Sequence, residues 1–377
     1  MKNLLLIIHK LSNGGAERAI TLLANTLKDD YNVTMATFDN SVKEYFPEVD
    51  VIDLKLPESK KTIMKILNFF IRTHKVKKIK KKLNIDCCIS YLSGPNFVNC
   101  FSKQNDKVII SIRNMQSKLK KNFFRDIVNQ ITLKKADTIV TVSEAVKEDI
   151  EKKYKVDTNK IVTIPNMINI DEIRQKQDEQ VEERDIFAND DIKIINIGRL
   201  ILQKGQWHLI KAMKIVTEKY KNVKLIILGR GELEKSLKEL IHKLNIQDNV
   251  YLLDFKTNPY KYLAKSDIFV SSSLYEGMPN AILEAMTCGL PIIATNCKGG
   301  TNEILQEKYG ILIPVFNEKY DITENINDEE QDLAIKIIEL IEDEEIRKHY
   351  VKMSNRRIND FTIKENKKKW MDVIEND

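Results

Sequence analysis

The chain has 377 residues, 42% hydrophobic and 31% charged, a balance that supports large buried cores and excludes a disordered polymer. No apolar run approaches the roughly 18–20 residues that cross a bilayer, and five cysteines without ligand spacing exclude a zinc module or a disulfide scaffold. The net charge of +6 hides an asymmetry: residues 1–170 carry 30 Lys/Arg against 18 Asp/Glu, the remainder 31 against 37, so two bodies with different partners are expected.

Met1-Lys2-Asn3 followed by Leu4–Ile8 has the outline of a signal peptide. Its apolar core is too short, and His9-Lys10 stands where a cleavage site belongs, so the run reads as a first strand. Leu11-Ser12-Asn13-Gly14-Gly15-Ala16-Glu17-Arg18 then leads into a helix over Ala19–Leu27. Gly14 and Gly15 before a helix N-terminus let backbone N–H groups approach a phosphate or a sugar; a plain strand-to-helix turn is the competing reading. There is no G-x-G-x-x-G, so no dinucleotide fingerprint. Val33–Phe38, Val49–Leu54, Cys87–Ser90, Val108–Ile112, Thr138–Val142 and Ile161–Ile164 are further short, largely β-branched runs separated by helical patterns. This alternation predicts an α/β fold with a parallel sheet covered on both faces. Cys87 and Cys88 read as small core residues in a reducing cytosol, and Ser143 as the N-cap of the next helix.

Two segments of this half are strongly basic. Residues 60–82 hold ten Lys/Arg and no acidic residue, with Ile63, Ile66, Leu67, Phe70 and Ile71 at helical spacing; residues 117–135 set Leu119, Phe123, Ile127 and Ile131 against Lys118, Lys120, Lys121, Arg125, Lys134 and Lys135. One reading is two core-packed helices with solvated lysine faces. The other is docking on an anionic membrane surface, worth about 1 kcal/mol per basic residue near it. Nucleic acid is not an expected partner, because no recognised module or stacking pattern accompanies the charge.

Residues 1–170 are expected to form the first domain and the polar stretch 171–191 a linker. The rhythm restarts at Ile192–Ile197 and continues to about residue 360 as a second Rossmann-like domain; Asp321–Glu345 reads as an acidic, solvated helical surface. Residues 361–377, with Trp370, are expected to anchor back on the first domain. The five histidines are scattered and read as ordinary residues, and no metal is expected, since there is no D-x-D after an apolar strand and no His pair at ligand spacing.

Within the second domain, Gly198, Arg199, Lys204 and Gly205 follow a strand. Two cations over a glycine-opened backbone suit a diphosphate, Arg as a fork and Lys as a point charge; exposed loop cations commonly do nothing specific. Gly229-Arg230-Gly231 and Leu253-Asp254-Phe255 end neighbouring strands and suit the wall of a base-binding pocket. Glu276-Gly277-Met278-Pro279-Asn280 is a turn into a helix that carries Glu284 among Ala281, Ile282, Leu283, Ala285 and Met286. A lone carboxylate on such an apolar helix needs a partner, either the hydroxyl pair of a ligand, such as a ribose, or a cationic side chain. A nucleoside diphosphate carrying a sugar uses all of these features.

Gly198-Arg199-Leu200…Lys204-Gly205, the Glu276/Glu284 pair and Glu284-Ala285-Met286-x-Cys288-Gly289-Leu290-Pro291 closely resemble the retaining nucleotide-sugar glycosyltransferases of family 4. Gly14-Gly15-Ala16-Glu17-Arg18 and Ile164-Pro165-Asn166 extend the resemblance over nearly the whole chain. It implies a GT-B fold, two Rossmann-like parallel-sheet domains facing across a cleft. It also implies transfer from a nucleotide-sugar, a UDP-sugar by preference, to a lipid-linked glycan, by a protein in the cytoplasm peripheral to the inner face of the cell membrane. By that resemblance Arg199 and Lys204 hold the donor diphosphate, Glu284 the ribose, and Glu276 the donor sugar with help from the Gly277–Asn280 backbone. Gly14 and Gly15 approach the phosphates, and no cofactor or metal takes part. Many relatives have a histidine after the strand equivalent to Val108–Ile112. Arg113-Asn114 stands there in this chain, and both are carried over as active-site polar groups. Asp254, where relatives often have glycine, is a second departure. A sugar-nucleotide epimerase of the same fold and a non-catalytic sugar-nucleotide-binding scaffold are the alternative readings.

Overall fold

The computed structural model describes residues 1–376 apart from 13, 60, 120, 189 and 298, and not the side chain of Thr62. Asn13 of the glycine loop and Lys60 and Lys120 of the basic segments therefore lie outside the described residues. The chain divides into two compact units, one of Met1–Met167 with the C-terminal stretch from Ile363, the other of Ile168–Thr362.

The first unit runs β1 (Asn3–Ile8), α1 (Gly15–Leu27), β2 (Asn32–Thr37), β3 (Asp50–Asp53), α2 (Thr62–Lys82), β4 (Cys87–Tyr91), α3 (Ser93–Phe101), β5 (Lys107–Ile112), α4 (Phe123–Lys135), β6 (Thr138–Thr141), α5 (Glu144–Lys153) and β7 (Ile161–Thr163). Its sheet is parallel throughout in the order β3-β2-β1-β4-β5-β6-β7. Side chains alternate between faces along a strand, and β1 divides accordingly. Leu4, Leu6 and Ile8 join the core under α1, whereas Leu5 and Ile7 join the core that includes Val76 of α2. Burial on both faces explains why these strands read as continuous apolar runs. Ser143 caps α5 by accepting from Val146 N at 3.3 Å.

The second unit contains α6 (Ile170–Lys176), α7 (Arg184–Phe187), β8 (Ile192–Ile197), α8 (Gln206–Lys219), β9 (Val223–Leu228), α9 (Glu234–Lys243), β10 (Val250–Leu253), α10 (Tyr260–Leu263), β11 (Ile268–Ser271), α11 (Asn280–Thr287), β12 (Ile292–Thr295), α12 (Gly300–Leu305), β13 (Ile311–Ile313), α13 (Asp328–Glu342) and α14 (Glu344–Arg357). Its six parallel strands lie in the order β10-β9-β8-β11-β12-β13. The chain then returns to the first unit as α15 (Ile363–Glu375), where Trp370 is buried and stacks on Tyr91 with ring centroids 6.2 Å apart. Lys2 pairs with Glu375 at 2.6 Å and Lys367 with Asp30 at 2.5 Å. Burying one such aromatic is worth roughly 2–3 kcal/mol, enough to hold a terminal helix.

Four expectations change. Residues 171–191 are not a linker: α6 and α7 belong to the second unit, Ile173 and Val181 are buried, and Glu182 and Glu183 pair with Lys261 at 2.7 Å and Lys256 at 2.6 Å. The acidic surface after residue 321 is helical only from Asp328, and Glu330 is fully buried, accepting from the stacked ring of His208 at 2.7 Å. The helix in the second basic segment starts at Phe123, not near 117. Finally, Ile63, Ile66, Leu67 and Phe70 are exposed rather than packed, because α2 turns a different stripe, with Val76 and Lys80, toward the sheet.

Candidate active site

In the second sheet β8 and β11 are neighbours, but the chain leaves β8 for β9 on one side and β11 for β12 on the other. Such a reversal opens a crevice at the C-terminal strand ends, where open α/β sheets take ligands. The loop after β8 and the loop after β11 both enter it. They are tied together by Ser272 Oγ donating to Lys204 O at 3.0 Å, Gln203 Nε2 to Tyr275 O at 2.9 Å and Leu274 N to Gln203 O at 2.8 Å. Gly205 has φ +58°, and a Cβ there would lie 2.3 Å from Ser272 O, so only glycine closes this junction.

The side chain of Lys204 lies back along Gly198 and its Nζ meets Glu276 Oε1 at 2.5 Å. Ser273 Oγ donates to the same carboxylate oxygen at 2.7 Å. Glu276 is 6% exposed, so its charge is largely desolvated and depends on these two donors. Arg199 is exposed and makes no ion pair among the described residues; its main chain is held by Gln206 Nε2 donating to Arg199 O at 3.1 Å. The loop thus presents one cation already matched to a carboxylate and one aimed at solvent.

The turn after Glu276 is braced from beneath. Gly299 has φ +128° and a Cβ on it would sit 1.8 Å from Glu276 O, while Gly300 N donates to Gly277 O at 2.7 Å. Met278 and Pro279 are buried, and α11 starts at Asn280, directly after this turn. Glu284, one turn in, is 5% exposed and already has a partner within the chain. Two thiols are pushed up by burial and by these carboxylates, Cys297 to about 11 beside Glu276 and Cys288 to about 12 beside Glu284, which leaves both protonated and unreactive near neutrality.

A third wall comes from the ends of β9 and β10. A Cβ on Gly229 would lie 2.0 Å from Gly198 O, so the loops after β8 and β9 run backbone against backbone. Arg230 Nε pairs with Asp254 at 3.0 Å and its guanidinium lies 5.2 Å from the centre of the Phe255 ring. Asp254 fixes the arginine over the ring, making a flat platform of the kind on which a base stacks.

In the first unit the corresponding reversal lies between β1 and β4. Helix α1 begins at Gly15, four residues before the expected start, with Gly14 as its N-cap. Gly14 has ordinary extended backbone. Its requirement is steric: Glu17 folds back over the loop, and a Cβ on Gly14 would lie 2.0 Å from Glu17 Oε2. Arg113, just past β5, donates from Nη2 to Asn166 Oδ1 and lies 4.4 Å from the centre of the Tyr91 ring. Burial pushes its guanidinium down, opposed by neighbouring Tyr91 and by the carboxylate of Glu17. Burial pushes the Tyr91 hydroxyl up to about 12, so Tyr91 stays neutral and Arg113 charged. Asn114 is half-buried beside it, its carbonyl accepting from Gln116 at 3.2 Å. Arg113 is thus gathered with Glu17, Tyr91 and Asn166, none of which the sequence marked as a site residue. Glu17 and Asn166 lie in the motifs G-G-A-E and I-P-N, the one signal that pointed to them.

The family model for glycosyl transferases group 1 matches residues 177–357, and that for glycosyltransferase family 4 matches residues 13–172. An uncharacterized glycosyltransferase of Methanocaldococcus jannaschii is 39% identical over 353 residues, covering 84% of this chain and 86% of that protein. The N-acetylgalactosamine-N,N'-diacetylbacillosaminyl-diphospho-undecaprenol 4-alpha-N-acetylgalactosaminyltransferase of Campylobacter jejuni is 30% identical over 372 residues, 96% of each chain. Among solved structures, HepE of Anabaena in complex with UDP-glucose superposes with a TM-score of 0.81 at 17% identity over 99% of both chains, a likeness of fold.

Proposed function

The chain belongs to the glycosyltransferases of family 4, and from that premise we propose that it transfers a sugar from a UDP-sugar to a lipid-linked glycan in surface polysaccharide or glycoconjugate synthesis, with retention of anomeric configuration. The observation that carries this reading is the crevice between β8 and β11, where Lys204, on the loop that also bears Arg199, pairs with Glu276 at the turn into α11, the helix of Glu284. Arg199 and Lys204 take the diphosphate, and the positive end of α11 adds to them. Glu284 accepts from the ribose, Glu276 from hydroxyls of the donor sugar, and the Arg230–Phe255 platform takes the base. The lipid-linked acceptor of the Campylobacter relative supports the acceptor class.

In this reaction the bond between the sugar C1 and the phosphate oxygen breaks, and a bond from the acceptor oxygen to C1 forms on the same face. The acceptor's proton passes to the departing phosphate, so no side-chain nucleophile is needed. The enzyme's work is electrostatic: Arg199 and Lys204 meet the charge that grows on the leaving diphosphate, an effect typically worth ~3–4 kcal/mol per well-placed donor. These two cations supply that charge without a metal ion. Arg113, held by Asn166 and Tyr91, adds a fixed positive charge on the acceptor side, and Gly14 and Gly15 admit the phosphates. Proton NMR of the product tests the stereochemistry: an α-linked product from an α-configured donor, formed equally with a chelator present, is expected. A β-linked product, or activity abolished by the chelator, would contradict the proposal.

A further inference from the structure

The loop after β8 fixes its two cations in different ways. Lys204 is held through its side chain, by Glu276. Arg199 is exposed, and its hold is on the main chain. Whatever directs that guanidinium therefore acts through the backbone of Gly198 and Arg199. Neighbouring strand ends fix the amide side: Gly198 N donates to Leu228 O at 3.0 Å and Leu200 N to Arg230 O at 3.0 Å. On the carbonyl side, Ile201 N meets Arg199 O at 2.9 Å, a contact internal to the loop that moves with it. The anchor from outside is one side chain. Gln206 Nε2 reaches back to Arg199 O at 3.1 Å and to Gly198 O at 3.5 Å.

Gln206 rides on a rigid support. It is the first residue of α8 and fully buried, and Trp207 and His208 after it are buried too. Trp207 packs edge-on against Tyr320 with ring centroids 5.0 Å apart. His208 stacks on Phe316 at 4.3 Å, and its Nδ1 lies 2.7 Å from Glu330 Oε1. The two loop carbonyls can only accept, so the Gln206 amide must turn its nitrogen toward them. Its Oε1 is then buried with no hydrogen-bond partner among the described residues. Such an orphan lowers stability, and a methionine of similar length would avoid it. Packing alone favours an apolar side chain here; the glutamine is accounted for by what its nitrogen holds.

We propose that Gln206 is a positioning residue for the donor diphosphate, setting the direction of Arg199 from beneath by clamping the Gly198 and Arg199 carbonyls to α8. This rests on the proposed role of Arg199. The clamp closes the loop on itself, so the freedom removed there is not lost again when a diphosphate binds. An arginine on an unclamped loop would give up that freedom at each binding event, at the expense of affinity.

The test compares the full-length wild type with Gln206→Met and with Gln206→Asn, whose amide is one methylene too short to reach Arg199 O. Hydrogen exchange read by mass spectrometry reports on the clamp itself. Amides of residues 198–204 should exchange about threefold or more faster in both variants, with β8 unchanged. Calorimetric titration with UDP reports on the consequence. Both variants should bind UDP about fivefold to tenfold more weakly, the scale of one lost hydrogen bond, while the thermal midpoint of Gln206→Met stays at or above the wild-type value. In an Arg199→Ala background the same substitutions should lower UDP affinity by less than about twofold further. A purely structural glutamine would give losses that add to that of Arg199→Ala, and a midpoint in Gln206→Met that falls along with affinity. Either result, or unchanged exchange in the loop, would overturn the inference and leave the proposed function standing. A wild-type affinity for UDP that Arg199→Ala leaves unchanged would instead overturn the proposed role of Arg199 and the consequence drawn from it, while loop exchange still decides whether the clamp exists.

Discussion

The ion pair between Lys204 and Glu276 separates a catalytic from a structural role. As a loop lysine read from sequence, Lys204 has little packing to lose, and its removal should barely affect stability. The structure changes that expectation. Removing one partner of a buried pair costs about 3–5 kcal/mol. Lys204 keeps 19% of its side chain exposed and Ser273 continues to donate to Glu276, so Lys204→Met is expected to cost less than that range, about 2 kcal/mol. For a unit of this size that is roughly a 4–8 °C fall in thermal midpoint. Turnover should fall ~10²–10³-fold through loss of the charge on the leaving diphosphate. The informative variant is the double one, Lys204→Met with Glu276→Gln. Without the stranded carboxylate the thermal midpoint should return most of the way to wild type, yet turnover should stay as low as in Lys204→Met or fall further. Differential scanning fluorimetry and nucleotide release on the same preparations supply both axes of this double-mutant cycle. Recovery of turnover in parallel with stability would refute the assignment and reduce Lys204 to a structural counter-ion.

Two glycines give a contrast of the same kind. Gly299→Ala places a Cβ 1.8 Å from the backbone oxygen of Glu276 at φ +128° and should cost more than about 2 kcal/mol as well as activity. Gly14→Ala meets only the movable carboxylate of Glu17; its stability should change by under about 1 kcal/mol while kcat/KM falls, both measurable by thermal melts and steady-state kinetics. Arg113→Lys keeps a charge but loses the guanidinium contact with the Tyr91 ring and the Nη2 bond to Asn166, so kcat/KM should drop about tenfold or more with the fold intact by circular dichroism. Acid sensitivity of the second unit follows from Glu182, held at about 2 by Lys261 and Tyr262, and Asp321, held at about 2 by Lys211. Their folded-state values lie below the ordinary 4.5 and 3.8. The stability they contribute is therefore complete above about pH 4.5 and is lost as pH falls toward 2. Glu182→Gln/Asp321→Asn should flatten the midpoint-against-pH curve in that window; an unchanged slope would contradict the pairing.

Much of this was legible in the sequence for a definite reason. Strands buried on both faces keep their apolar, β-branched composition, so β1, β5 and β8 announce themselves, and loops that follow them carry glycine and charge in a recognisable order. What stayed hidden depends on partners far away in the chain. Residues 171–191 look like a linker because their polarity is visible and the lysines that neutralise Glu183 and Glu182 lie 73 and 79 positions away. Glu330 looks like surface for the same reason, its partner His208 being on another helix. Helical spacing reveals that Ile63 and Phe70 share a stripe but not what covers it, and the structure leaves that stripe exposed. Arg113 could be found from its place after a strand. Its companions Tyr91 and Asn166 come from other strand ends, and only the sheet order brings them together.

The most direct test of the central claim is a panel of UDP- and GDP-sugars assayed for nucleotide release with lipid-linked acceptors, on the wild type and on Arg199→Ala and Glu276→Ala. The account predicts UDP release from one donor, dependent on acceptor and reduced at least a hundredfold in both variants, each having lost a transition-state contact of about 3 kcal/mol. Absence of release from every donor, or release that both variants sustain at the wild-type rate, would contradict it.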